Sequence, residues 1–193
     1  MNSDVYTKKR LDVRRLVVIG VLSGICIMLS ITPLGFIPIG PVNATIMHIP
    51  VIIGAVIEGP IVGLAIGLIF GLTSLIRAFT MPTVTSFLMM NPIISVLPRV
   101  VMGFASYYIF TGIFKSSKNK KISAMITGFL ASLINTVGVL GLIYLIYGQR
   151  YVEAIGQIGS PAKIITAIAV TNGLPEAILA GVIVSSVVTV IKK

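Results

Sequence analysis

NPIISVLPR, residues 91–99, places an arginine about two turns inside an apolar run that continues through VVMGFASYYIFTGIF to Phe114. An arginine at the centre of a membrane helix costs about 2.5 to 3.5 kcal/mol on insertion scales, so it is kept where it has a partner, lines a cavity or binds something. On a helix, Asn91, Ser95 and Arg99 follow one another at steps of four and stack into a polar stripe that Met102 and Ser106 continue. Ile93, Ile94, Val96, Leu97, Val100 and Val101 cover the other faces, which suit lipid or packed neighbours.

The rest of the chain has the same character. Of 193 residues, 56% are apolar and 10% charged, with a mean hydropathy of +1.07 that ordinary soluble domains do not reach. The expected fold is an all-α integral membrane protein, one compact domain over residues 1–193 made of six transmembrane helices, with residues 1–15 as a basic cytoplasmic tail. A net charge of +10 would suggest nucleic acid in a soluble protein. Here eleven of the fifteen Lys and Arg residues lie at the two ends (Lys8, Lys9, Arg10, Arg14, Arg15, Lys192, Lys193) or in one short loop (Lys115, Lys118, Lys120, Lys121). That is the positive-inside pattern, and it puts both termini in the cytoplasm. No aromatic interleaving accompanies the basic residues, so nucleic acid is not an expected partner.

Cys26 is the single cysteine, which rules out an intramolecular disulfide and a thiolate metal cluster. Ile25 precedes it where a lipoprotein signal needs a small residue, so residues 16–31 read as a retained first span rather than a cleaved leader. That span carries Gly20 and Gly24 four apart, a helix-contact face used either inside the bundle or to dock another protein. Residues 32–45 (TPLGFIPIGPVNAT) break any helix with Pro33, Gly35, Pro38, Gly40 and Pro41, and form an outer loop that is apolar enough to be a lid.

A short second span over residues 46–57 has His48 near its outer end; without neighbouring metal ligands, this histidine is read as a hydrogen-bonded structural group or a substrate contact. The third span bears Gly59, Gly63, Gly67 and Gly71 at strict spacing of four, a ridge for very close helix contact. It ends in Thr73-Ser74-Leu75-Ile76-Arg77, followed by a second outer loop over residues 80–91. The fourth span is residues 92–114, the fifth residues 122–147 with Ser132, Asn135 and Thr136 near its middle. A third outer loop is expected over residues 148–162. The sixth span, 163–191, sets Asn172 and Glu176 one turn apart beside a small-residue ridge of Ala169, Gly173, Ala177, Gly181 and Ser185, with Pro175 expected to kink it.

At 1.5 Å per residue from the outer helix ends, Arg99 lies about 10 Å deep, Asn172 about 13 Å, Asn135 about 18 Å and Glu176 about 20 Å. Three helices thus bring polar groups to neighbouring levels in a core of roughly 30 Å, where they could line one cavity open to the outside. Mutual neutralisation of Arg99 and Glu176 is the alternative use of the two charges. The chain lacks the G-x-x-x-x-G-K-[ST] motif that would cradle ATP. It also lacks paired carboxylates, a Cys/His dyad or a metal-ligand cluster, so no catalytic residues, metal or cofactor are expected. It is small for a carrier built of repeated halves. A membrane-embedded binding protein that takes its energy from partners remains, with a stand-alone carrier or channel relaying charge between Arg99 and Glu176 as the second reading.

The run MHIPVIIGAVIEGPIVGLAIGLIFGLTSLIRA, residues 47–78, together with six short helices and basic ends, resembles the substrate-binding S components of energy-coupling factor (ECF) vitamin transporters, most of all their pantothenate-specific members. Folate, riboflavin and hydroxymethylpyrimidine relatives share the pattern. The resemblance implies a prokaryotic multi-pass cell-membrane protein, not an enzyme, with a vitamin site near the outer surface capped by the first and third loops. It implies partnership with a transmembrane coupling subunit and two ATPase subunits, and toppling of the whole component to carry its ligand inward. Docking falls to the first helix, where Gly20 and Gly24 stand in place of the family's usual alanines, with Ser23 adjacent. The family's arginine on the fourth helix and asparagine on the fifth fall on Arg99 and Asn135. Asn91, Ser95, Asn172, Glu176, Arg77 and His48 complete the expected substrate-binding set.

Overall fold

The computed structural model describes residues 13–39 and 42–191. Lys8, Lys9, Arg10, Lys192 and Lys193, on which much of the terminal charge pattern rests, and Gly40 and Pro41 of the first outer loop, lie outside the described residues. In chain order the elements are α1 (Val13–Ile31), a 3₁₀ turn (Pro33–Gly35), β1 (Phe36–Ile39), β2 (Val42–Thr45), α2 (Ile49–Glu58), α3 (Pro60–Thr80), α4 (Ser86–Met89), α5 (Pro92–Ser117), α6 (Lys120–Ala154) and α7 (Pro161–Ile191). The fold is overwhelmingly helical, as the composition requires in a medium with no water to satisfy an open backbone. Prolines open α2, α3, α5 and α7, at positions whose N–H would lack an intrahelical acceptor anyway. Asn91 caps α5 by accepting from the Ile93 amide at 3.0 Å, and Asn119 caps α6 through the Ile122 amide at 3.2 Å.

Five helices, α1, α3, α5, α6 and α7, are long and apolar enough to cross a membrane. The expected second span is shorter than a crossing. Its ten residues cover about 15 Å, half of a bilayer core of roughly 30 Å. Yet Ile49 to Val56 are all buried, so α2 is the innermost helix and is wrapped by protein rather than lipid. Its Val51 and Ile52 pack with Cys26 of α1, Val62 and Ile66 of α3, Met102 of α5 and Val184 of α7 in one apolar core.

The glycine ridge of α3 makes the close approach its spacing predicts, and the partner is α5. A Cβ at Gly63 would meet the Gly103 carbonyl, one at Gly67 the Arg99 carbonyl, and one at Gly71 would sit 2.7 Å from Val96 Cα. Gly59 does not belong to this ridge. It turns the chain between α2 and α3 at φ 107°, a conformation that other residues rarely adopt. The ridge of α7 packs on α6: Gly173 against the Thr136 side chain and Gly181 against the Met125 carbonyl, while the Ser185 hydroxyl donates to the Lys121 carbonyl at 3.2 Å.

These contacts fix which ends lie together. Arg14 at the start of α1 pairs with Glu58 at the end of α2 at 2.8 Å. Gly63 meets Gly103, and Ser185 meets Lys121. The start of α1, the α2–α3 turn, the α5–α6 turn and the last turns of α7 therefore gather at one end of the bundle.

The loops depart most from expectation. Residues 36–39 and 42–45 pair as antiparallel strands, Phe36 opposite Thr45 and Ile39 opposite Val42, where only helix breaking was legible. The expected third outer loop, 148–162, is mostly helix. α6 runs on to Ala154 across a kink at Tyr147 (φ −131°, ψ 16°), because Tyr147 and Tyr151 still have a surface of Ile143, Ile165 and Leu88 to pack on. The second outer loop contains the single turn α4, whose first residue, Ser86, accepts from the Thr83 amide at 2.7 Å. The basic loop shrinks to two residues, Lys118 in the left-handed region at φ 51° and the capping Asn119. α7 stays continuous through Pro175.

Candidate functional site

The site is built around the Pro98-Arg99 pair of α5. Proline has no amide hydrogen, so Pro98 leaves the carbonyl of Ile94, four residues earlier, without its helical donor. The Arg99 side chain turns back along the helix and fills that vacancy, with Nη1 donating to the Ile94 carbonyl at 2.6 Å. The guanidinium is thereby aimed at the end of the bundle where α4 lies. Nη2 is 3.8 Å from Met89 Sδ on α4, and Cζ stands 5.5 Å from the centre of the Phe70 ring on α3. Arg99 is 7% exposed, and its Nε has no hydrogen-bond partner among the described residues.

Other buried polar atoms share this state. His48, at the entry to α2 and 1% exposed, has no partner on Nε2 among the described residues. On α6, Asn135 Oδ1 and Ser132 Oγ are buried without partners. That helix touches α5 beside the arginine, where a Cβ at Gly138, one turn from Asn135, would lie 3.0 Å from Pro98 Cβ. A buried donor or acceptor left unsatisfied costs about 1 to 3 kcal/mol. A ligand with matching groups would remove that cost.

The remaining sequence candidates are engaged elsewhere. Asn91 uses Oδ1 as a helix cap, and the Ser95 hydroxyl donates to the Asn91 carbonyl at 3.1 Å. Asn172 is half-buried and accepts from the Thr171 hydroxyl at 3.3 Å. Glu176 does not neutralise Arg99. Its Oε1 accepts from both the amide and the hydroxyl of Thr45, at 2.9 and 3.0 Å, and so fastens the end of β2 to α7. Arg77 lines a different groove, of about 400 Å³, between α1 and α3. An apolar groove of about 590 Å³ lies between α5 and α6, with Leu97, Val101, Ile134 and Val137 among its walls. On α1, Ser23 is buried with an unpaired hydroxyl, whereas Gly20 and Gly24 face outward and a Cβ on either would meet nothing within 4 Å. The face is thus not one used inside the bundle.

Sequence reading passed over Ser132 as a site group, and over Met89, Phe70 and Thr45 as partners of the two charges. The signal for one of these facts was present: a proline directly before a buried arginine marks both a freed carbonyl and a donor able to reach it. Among the described residues no three His, Cys, Asp or Glu side chains gather as metal ligands would.

Chemically, a buried and pre-aimed guanidinium can hold a small polar anion. Residues 14–188 match the family described as the ECF transporter, substrate-specific component, and the chain belongs to that family. It is similar to the pantothenic acid transporter PanT of Lactococcus lactis subsp. cremoris, 30% identical over 167 residues that cover 79% of this chain and 80% of the relative. It is also similar to the pantothenate transporter PanT of Leuconostoc mesenteroides subsp. mesenteroides, 35% identical over 115 residues, 55% and 56% of the two chains. The protein is therefore a transport component of the cell membrane rather than an enzyme, one that binds a substrate and works with a membrane-embedded complex.

Proposed function

We propose that this chain is the pantothenate-binding S component of an ECF importer, a single domain that hands its ligand to a transmembrane coupling subunit driven by two ATPase subunits. The observation that carries the reading is the Arg99 guanidinium: buried, held by the Ile94 carbonyl, with no carboxylate bonded to it among the described residues. Pantothenate has a carboxylate at one end and an amide with hydroxyls at the other. Arg99 takes the carboxylate, while His48, Ser132 and Asn135 meet the neutral groups. The printed function of both relatives supports this choice over folate, riboflavin or hydroxymethylpyrimidine. A carrier relaying charge between Arg99 and Glu176 is disfavoured, because Glu176 is bonded to Thr45 and Arg99 to Ile94.

In this reading α2 and the strand pair complete a sixth crossing. The Arg14–Glu58 pair supports it by returning the end of α2 to the start of α1. The end that gathers Arg14, Lys118 and Lys121 is cytoplasmic by the charge rule, and the α4 end with Arg99 below it is external. The outward Gly20 and Gly24 face of α1 is the docking surface for the coupling subunit.

The test is a binding panel of the four vitamins on the isolated protein, with pantothenol added as the alcohol analogue that lacks the carboxylate. Wild type should bind pantothenate stoichiometrically and reject pantothenol, and Arg99→Ala should lose most of that discrimination. A folded Arg99→Ala protein that still prefers the acid by the same factor would sink the assignment of Arg99.

A further inference from the structure

The groove between α1 and α3 carries a chemistry that the vitamin site does not use. Its walls are Ile27, Ile31, Thr73, Ile76, Arg77, Thr80 and Met81, enclosing about 400 Å³. The side chains are ordered along the helices. Ile27 and Thr73 lie one turn inward of Ile31 and Arg77, and Arg77 is three residues from the end of α3, about 5 Å inside it. The mouth is therefore cationic and the floor apolar. Ile31 and Ile76 are 58% and 61% exposed, so this face meets whatever lies alongside the protein in the membrane.

The groove's lining includes no acidic residue. Nor can the two threonines supply donors to an anion, because Thr73 donates to the Ile69 carbonyl at 2.8 Å and Thr80 to the Ile76 carbonyl at 3.1 Å. Anion recognition there rests on Arg77. That residue also makes an interaction within the chain, but a guanidinium has five N–H donors and can serve a second partner. A headgroup-level cation over an apolar trough two turns long matches one molecule: a phosphate carrying acyl chains.

We propose that the α1–α3 groove is a site for one anionic phospholipid, its phosphate on Arg77 and an acyl chain along Ile27, Ile31 and Ile76. The site stands apart from the Arg99 centre. It lies on the side of α1, so an anionic lipid here would be carried with the first helix wherever that helix docks.

The experiment uses the full chain purified in mild detergent, exposed to phosphatidylglycerol or phosphatidylcholine, and read by native mass spectrometry. Wild type should retain one phosphatidylglycerol with occupancy on the order of fivefold above phosphatidylcholine, the preference one surface arginine confers. Arg77→Gln should abolish the preference and Arg77→Lys should keep part of it. Ile76→Trp, which fills the trough without touching the charge, should lower the occupancy of both lipids. Equal retention of the two lipids by wild type, or an unchanged preference in Arg77→Gln, overturns the proposal. So does an Arg77→Gln protein that loses pantothenate binding while keeping its lipid preference, since Arg77 would then belong to the vitamin site. Should Arg77→Gln fail to fold, Ile76→Trp decides alone: phosphatidylglycerol occupancy equal to wild type rejects the groove.

Discussion

Arg99 is placed by its neighbour in sequence. The Pro98 ring removes one helical hydrogen bond, and the arginine restores it from the side, so the guanidinium is oriented before any ligand arrives. Arg99→Lys keeps the charge but not the planar fork, and should weaken pantothenate binding at least about tenfold, roughly 1.4 kcal/mol, in a calorimetric titration. Pro98→Ala makes a sharper test. Alanine keeps the Cβ that packs near Gly138 and returns an amide donor to the Ile94 carbonyl. The fold should be as stable as wild type or more so, while affinity falls about three- to tenfold as the guanidinium loses its tether, the value of one hydrogen bond of about 0.5 to 1.5 kcal/mol. Unchanged affinity in a folded Pro98→Ala protein shows that the Ile94 carbonyl does not orient the arginine. At this scale the sequence revealed which charge was out of place but not what held it. Asn91, Ser95 and Arg99 do share a stripe, and all three bond within their own helix. Glu176 was legible as a buried acid, but its partner Thr45 lies 131 residues away on a strand that no residue pattern announced.

Among elements, the pairing of α3 with α5 ties stability to the site. Gly67 presses on the backbone of Arg99 itself, and its Cβ position is 3.3 Å from Val100 Cα. Gly67→Val should therefore cost at least about 1 to 3 kcal/mol in packing, seen as reduced monodisperse yield and a lower melting temperature. Loss of uptake with yield and melting temperature unchanged would mean that the ridge is a docking face. The ridge could be read from spacing alone because glycines four apart in an apolar helix have one use, close approach. The extension of α6 could not. Gly148, Gln149 and Arg150 look like a loop opening, but Leu88 and Ile165 offer Tyr151 an apolar surface that favours a continued helix. Arg150 then stacks 4.7 Å over the Phe87 ring, and Phe87 meets Tyr147 edge to face at 5.7 Å, so ring contacts join α4 to the end of α6.

For the whole molecule, the face of α1 that bears Gly20 and Gly24 is open, with nothing within 4 Å of a Cβ at either position. Gly24→Leu adds bulk where nothing in the chain lies within 4 Å, so pantothenate binding by the isolated protein should match wild type. Co-purification with the coupling subunit should fall, because the partner backbone is held away. Loss of binding with normal co-purification reverses the assignment. Hydropathy and charge made the class of molecule and most helix positions readable. They overstated α2, since a buried helix need not reach across the bilayer if protein surrounds it. That shortness bears on how the chain is made. Ten residues are too few to be released sideways from a translocon as an independent stop or start, so α2 must wait for α3 and enter with it as a pair across the Gly59 turn. Nascent chains arrested just after Glu58 should leave α2 unintegrated in a protease-protection assay, and chains extended through Thr80 should protect it; integration of the shorter chain would show that α1 alone suffices as its escort.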